Sequence, residues 1–144
     1  MKKQVVRTFA ALGLMLMLTT ISVSAQSERR MVINIPFDFI IGKSALTAGQ
    51  YTVEPRERNL GSVWLIRNHN NNAAVFVITM PVSRKTQQEG KLVFHKYGDQ
   101  FFLSQIWIPG SATGGELIIS RLERNLARNS VKGLVIAPIA SSKH

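Results

Sequence analysis

Residues 91–108 read KLVFHKYGDQFFLSQIWI, and this pattern predicts a β-hairpin. Two runs rich in β-branched and aromatic residues are separated only by Gly98 and Asp99. A glycine at the first central position suits a type II′ turn, whose twist matches that of the flanking strands, and type I′ is the alternative. A turn of this length places His95 opposite Phe102.

Alternation of apolar and other residues continues outside this hairpin. Every odd-numbered position from Met31 to Ile41 is apolar, which predicts a strand with one face on the core. Pro36 lacks an N–H group, so this strand is predicted to lie at a sheet edge or to carry a bulge there. Further strands are predicted at residues 51–54, 62–67, 73–82 and 131–139.

A short helix is predicted over residues 121–129. Ser120 and Glu123 form a capping box, in which the serine hydroxyl accepts from the Glu123 amide and the glutamate reaches back to the Ser120 amide. Leu122 and Leu126 fall on one face of this helix, and we expect that face to pack on the sheet.

Seven strands joined mostly by short loops, with one helix near the C-terminus, predict an all-β fold. The strands are expected to form an antiparallel meander that closes into a small barrel or folds over as a sandwich. Consecutive hairpins need no long crossover, which favours the barrel. Residues 26–144 contain no visible linker or internal repeat and are interpreted as one domain.

Residues 1–25 have the organisation of a cleaved secretory signal. Lys2, Lys3 and Arg7 precede an uncharged run from Thr8 that ends in Val-Ser-Ala at Ala25. We therefore expect cleavage after Ala25 and export to the periplasm or the extracellular space. An uncleaved membrane anchor is the alternative, because the uncharged run of 18 residues is close to the shortest spanning helix.

The chain is basic, with a formal net charge of +10 over 144 residues. Loss of the first 25 residues leaves 15 basic and 8 acidic side chains, a charge of +7. A basic exported protein meets anionic envelope lipid or acidic polysaccharide before nucleic acid, so either is a candidate partner, and a charge that serves only solubility is the alternative. Arg121, Arg124 and Arg128 share one face of the predicted helix and are the candidate ligand-binding residues, with a solvated helix face as the alternative.

The sequence predicts no enzyme, no metal site and no cofactor. It contains no cysteine and no G-x-S-x-G, H-E-x-x-H or phosphate-cradling glycine motif. A hydrolase centred on His95 and Asp99, with Ser104 as nucleophile, is the catalytic alternative. The predicted register places Ser104 two positions beyond the residue that faces His95, and Asp99 has a role in the turn, so a polar hairpin edge is favoured.

Aromatic side chains suggest another function, the transport of a small apolar ligand. Six of them would line a pocket if the sheet closed, although aromatic residues on strands more often form a core. They are Trp64, Phe76, Phe94, Phe101, Phe102 and Trp107. The loop Asn68–Asn72 offers amides to a sugar, but such loops more often serve only as connections.

Three segments resemble a group of small exported bacterial proteins of unknown function. These segments are IPFDFIIGKSALTAGQYTV at residues 35–53, KLVFHKYGDQFFLSQIW at residues 91–107 and SRLERNLA at residues 120–127. Members of the group similarly join a signal peptide to an opening of the type IPFDF…G…LxAGxY and to a KLVFHxYGD hairpin. The resemblance implies an exported β-rich domain and supplies no activity, cofactor or functional residue.

These observations favour a non-enzymatic, exported β domain that binds a partner or is associated with the cell envelope. A carrier with an aromatic-lined barrel is the first alternative, and the hydrolase centred on His95 and Asp99 is the second.

Overall fold

The computed structural model describes residues 30–56, 63–86 and 88–139, and the predicted signal segment lies outside these residues. Within the described ranges the chain forms ten strands and one helix. The strands are β1 (Met31–Ile35), β2 (Phe39–Ile41), β3 (Ser44–Leu46), β4 (Gly49–Pro55), β5 (Val63–Asn68), β6 (Ala74–Ser83), β7 (Lys91–Tyr97), β8 (Gln100–Trp107), β9 (Thr113–Leu117) and β10 (Lys132–Pro138). The helix, α1, spans Arg121–Asn129.

The strands form one mixed sheet. Its main path runs β1-β4-β5-β6-β9-β8-β2-β3, while β7 pairs with β8 and β10 pairs with β7. Among the described strands, all pairs are antiparallel except that of β2 with β8, which is parallel. The predicted β-rich fold is confirmed, but the path is more complex than a seven-stranded meander. Within the described ranges, consecutive hairpins occur only in β2–β3, β4–β6 and β7–β9.

The segment predicted as a single first strand is two strands. Met31, Ile33 and Ile35 of β1 are buried, as the alternation predicted. The break at Pro36 lets β1 pair with β4 and β2 pair with β8. Asp38 follows this break, and its Oδ1 accepts a hydrogen bond from the backbone N–H of Ala48, 2.8 Å away.

Strand β9 lies in a segment where the sequence predicts no strand, because small residues dominate it. Its glycines are required by close packing. A Cβ atom on Gly114 would lie 2.7 Å from the Trp107 ring, and one on Gly115 would lie 2.9 Å from Trp64 Nε1. Low strand propensity is therefore outweighed here by the close approach of two indole rings.

The ten-residue strand β6 connects the two halves of the sheet. Its first half pairs with β5 and its second half pairs with β9. The Cα atoms of β1 and β10 approach within 8 Å, yet among the described residues no ladder joins these two strands. The pairing therefore leaves the sheet open, and the favoured barrel is not confirmed.

Most of the six aromatic residues proposed as a pocket lining are buried in the protein. Trp64, Phe94, Phe102 and Trp107 are each at most 2% exposed. Trp64 Nε1 donates to Thr79 Oγ1 at 3.1 Å, which satisfies the indole N–H inside the core. Phe101 is half-buried and stacks on Phe37, whereas Phe76 is 66% exposed.

The predicted hairpin forms between β7 and β8, with His95 opposite Phe102. Gly98 has φ of 59°, whereas Asp99 is not among the residues with positive φ. This combination identifies a type II′ turn, because type I′ needs positive φ at both central positions.

Candidate functional site

Three polar side chains form a buried cluster between the hairpin and helix α1. His95 Nδ1 lies 2.6 Å from Glu123 Oε1, and His95 Nε2 lies 3.0 Å from Ser104 Oγ. All three residues are at most 8% exposed. Since a carboxylate can only accept, Nδ1 donates to Glu123, and in a neutral imidazole Nε2 then accepts from the Ser104 hydroxyl.

Glu123 reaches this cluster because of how α1 begins. Ser120 Oγ accepts from the Glu123 N–H at 3.1 Å, which confirms half of the predicted capping box. The other half is wrong, since the carboxylate bonds to His95 rather than to the Ser120 amide. The packing face also differs, because Glu123 is the buried residue of the helix while Leu122 is 48% exposed and Leu126 is half-buried.

Tyr97 completes the cluster from the same strand as His95. Its hydroxyl donates to Glu123 Oε1 at 3.3 Å. Burial raises the pKa of Tyr97 above 10.0, and both the negative charge of Glu123 and the hydrogen bond to it add to this effect. Tyr97 therefore remains a neutral donor to the carboxylate.

Ser104 lies beside His95 at an irregularity in the β7–β8 ladder. Val93 lies opposite Gln105 and Phe94 opposite Leu103, so Ser104 has no partner on β7. Ser104 lies two positions beyond Phe102, as the sequence predicts, but the expectation that it does not touch His95 is wrong. Asp99, the predicted third member, is exposed in the turn, and Glu123 occupies the carboxylate position instead.

His95 and Ser104 line a cleft of about 490 Å³ on the outer face of the sheet. Its apolar walls include Val93 of β7 together with Leu134 and Ile136 of β10. Three basic residues also line it, namely Arg84, Lys91 and Lys132. The polar cluster therefore borders a cavity with apolar walls and a positive rim.

Two other clefts adjoin this one in series. It shares the lining residue Ile119 with a cleft at the start of α1, and that cleft shares Ile118 and Lys43 with a third one beside β6. Large exposed hydrophobic side chains line all three clefts, and we call this set the apolar face. Its members are Phe76, Ile78, Met80, Ile118, Ile119, Leu122, Leu134 and Ile136.

The three predicted binding arginines are all exposed on α1. Arg121 lines the cleft at the start of the helix, beside Leu122 of the apolar face. Arg124 and Arg128 line none of the three clefts described above. Of the three predicted binding arginines, Arg121 is therefore the one that lies at a cleft.

The asparagine loop between β5 and β6 borders a separate, polar cleft of about 240 Å³. Asn72 there has φ of 55°, a conformation that asparagine tolerates well. Asn68 is 1% exposed, and its Oδ1 accepts from the N–H of Asn70 at 2.7 Å. Its Nδ2 is the only buried side-chain nitrogen or oxygen without a partner among the described residues.

Two further features of the described ranges concern metals and membranes. They contain no cluster of three or more His, Cys, Asp or Glu side chains suited to a metal ion. In the same ranges, no helix has the length and apolar character needed to cross a membrane.

No protein-family model matches the chain, and no curated protein or solved structure matches it either.

Proposed function

We propose that this protein is exported and binds to an anionic lipid surface of the cell envelope through its apolar face. One observation carries the proposal. Among the described residues, eight of the ten large hydrophobic side chains that are exposed line the three adjoining clefts. Soluble proteins seldom expose a large continuous apolar surface unless it binds a partner or a membrane.

The chemistry of the apolar face favours lipid over polysaccharide. Phe76, Ile78 and Ile118 are each at least 66% exposed and present only hydrocarbon. Such side chains gain free energy when acyl chains replace water, roughly 25 cal/mol per Å² of apolar surface. A polysaccharide instead binds through hydrogen bonds to its hydroxyls, which these three hydrocarbon side chains cannot make.

The charges around the apolar face favour an anionic surface. Of the residues that the structure describes, Glu116 is the one acidic residue that lines these clefts, and its carboxylate accepts from Gln105 Nε2 at 3.1 Å. Five basic residues line them: Lys43, Arg84, Lys91, Arg121 and Lys132. Each basic residue close to an anionic membrane contributes about 1 kcal/mol of attraction.

The test is co-sedimentation of the mature protein with vesicles. We expect retention on vesicles that contain phosphatidylglycerol, little retention on pure phosphatidylcholine, and a decrease as salt rises. The double change Ile118→Ser and Ile119→Ser should reduce retention at least tenfold. Val32→Ser is the matched control, because Val32 is exposed but lines none of the three clefts. Equal retention of the double variant and wild type, or retention on an acidic polysaccharide resin alone, would contradict lipid binding.

A second pair of variants distinguishes attraction by the basic residues of the clefts from attraction by the net positive charge of the protein. Arg121 lines the apolar face, whereas Arg124 lies on the same helix but outside the three clefts. Arg121→Gln should therefore weaken vesicle retention more than Arg124→Gln does. Equal losses would show that net charge alone attracts the protein to the vesicles.

The proposed export of the protein is tested by its N-terminus. Mass spectrometry of the exported protein should find an N-terminus at Gln26 or its pyroglutamate form, because the Val-Ser-Ala sequence at residues 23–25 suits signal peptidase. Recovery of protein with intact Met1 from the membrane fraction would instead support an uncleaved anchor.

A further inference from the structure

The geometry points to a second activity at the same cleft: Ser104, His95 and Glu123 are the nucleophile, general base and orienting carboxylate of a carboxylic-ester hydrolase. This activity departs from the non-enzymatic prediction. It does not depend on lipid binding, because it concerns the chemistry of the cluster rather than the apolar face.

The two distances meet the requirements of the three roles. A nucleophile and its base must lie within about 2.6–3.2 Å, and the base must be held by a third group. The 3.0 Å contact from Ser104 Oγ to His95 Nε2 and the 2.6 Å contact from His95 Nδ1 to Glu123 Oε1 satisfy both conditions. Glu123 also selects the tautomer in which Nε2 can accept the serine proton.

A purely structural role explains only part of this arrangement. The hydrogen bonds from Glu123 to His95 and Tyr97 attach α1 to the sheet. That attachment does not need the hydrogen bond between Ser104 and His95 Nε2, which links the same imidazole to β8. Ser104 and His95 both line the cleft, and the ladder is irregular at Ser104, as is common beside active sites.

The cleft defines the substrate class. Apolar walls from Val93, Leu134 and Ile136 suit an acyl chain whose carbonyl carbon lies at Ser104. Lys91 and Lys132 also line the cleft, and their positive charge favours the oxyanion that develops during attack. We therefore assign esters with a short to medium acyl chain, including those with an anionic alcohol group.

The reaction balances with water as the co-reactant. Ser104 Oγ bonds to the carbonyl carbon while its proton passes to His95 Nε2. The bond from that carbon to the alcohol oxygen then breaks, and the leaving oxygen takes the proton from Nε2. Water attacks the acyl-serine, gives one proton to Nε2, and releases the acid as Ser104 regains that proton. Glu123 stabilises the imidazolium that forms at His95.

The experiment measures hydrolysis of p-nitrophenyl butyrate by the mature protein without vesicles. Wild type should exceed the buffer rate, and Ser104→Ala should lose at least about 1,000-fold in kcat. Glu123→Gln should lower kcat by about 100-fold or more. Ser111→Ala is the matched control and should keep wild-type activity, because Ser111 lies outside the cleft, in the loop before β9, and its hydroxyl donates to the backbone oxygen of Thr113.

A labelling experiment on the unaltered protein does not depend on the folding of any variant. A fluorophosphonate probe should modify Ser104 in native protein and not in heat-denatured protein, with the site read by peptide mass spectrometry. A buffer-level wild-type rate, undiminished activity of Ser104→Ala, or no label on Ser104 would each overturn the inference. Vesicle retention of the wild type is expected whichever of these results is found, so the two proposals are tested separately. The variant with Ile118→Ser and Ile119→Ser should still hydrolyse the soluble ester.

Discussion

His95 bonds through its two ring nitrogens to two different elements, with Ser104 on β8 and Glu123 on α1. From the sequence alone, His95 and Ser104 are candidate catalytic partners. Glu123 is predicted only as part of the helix cap, because a glutamate three positions after a serine has a sufficient local role. Its burial is what identifies the second role.

Tyr97 should make the protein more sensitive to alkaline pH. Its pKa is raised above 10.0 in the folded state by burial first and then by Glu123, so the folded protein holds the phenol proton more tightly than the unfolded chain. This stabilisation is complete below about pH 10 and is lost as the pH rises through the higher folded-state pKa. Melting temperatures measured from about pH 8 to pH 11 should therefore fall less steeply for Tyr97→Phe than for wild type. Parallel curves of melting temperature against pH for the two proteins would show that Tyr97 does not contribute to the loss of stability at alkaline pH.

Gly98 should tolerate no β-branched residue. Its φ of 59° is unfavourable for valine, although a Cβ atom added there would meet nothing within 4 Å. Gly98→Val should lower the free energy of unfolding by more than about 1 kcal/mol. Gly133→Val is the control, because Gly133 lies within β10 and has only ordinary contacts with Lys96. Similar urea midpoints for the two variants would rule out strain at the turn.

At the scale of single elements, helix α1 has the predicted limits but a different docking mode. The capping signal and helical periodicity lie within nine residues, so local reasoning can identify them. The docking face depends on partners from β7, which lie 26 to 28 residues earlier in the chain. A pattern argument assigns leucines to the core and glutamate to water, and here the hydrogen bonds to His95 and Tyr97 reverse that assignment.

The stability of α1 should depend on Glu123 and not on its arginines. The triple change Arg121→Gln, Arg124→Gln and Arg128→Gln should leave the melting temperature within a few degrees, because all three side chains are exposed. Glu123→Ala should cost at least about 2 kcal/mol, since it leaves His95 and Tyr97 without their buried acceptor. Thermal unfolding followed by circular dichroism measures both effects. A large loss in the triple variant would show that the arginines hold the helix in place.

At the scale of the whole molecule, β6 and β9 join the two halves of the sheet. The contact depends on Gly115, where a Cβ atom would lie too close to Thr79 and 2.9 Å from Trp64 Nε1. Gly115→Ala should therefore disturb the buried hydrogen bond between Trp64 and Thr79 and cost about 1–3 kcal/mol. Chemical denaturation monitored by tryptophan fluorescence would measure it, with Gly133→Ala as a control in an uncrowded strand. Equal midpoints for the two variants would contradict close packing at this junction.

Features set by neighbouring residues could be predicted from the sequence. All seven predicted strand segments form strands, the β7–β8 turn has its predicted type, and α1 has its predicted limits. Alternation, turn chemistry and capping each act over a few residues, so their signals are complete within short segments.

The candidate site depends on contacts between distant parts of the chain. The parallel pairing of β2 with β8, the bulge at Ser104 and the bond from Glu123 to His95 have no signal in any short segment. Register across a sheet is chosen by the burial of both faces together, and a charged side chain enters the interior only where the completed fold supplies partners. The apolar face arises in the same way, because residues on β6, β10 and the loop before α1 become neighbours only when the sheet has assembled.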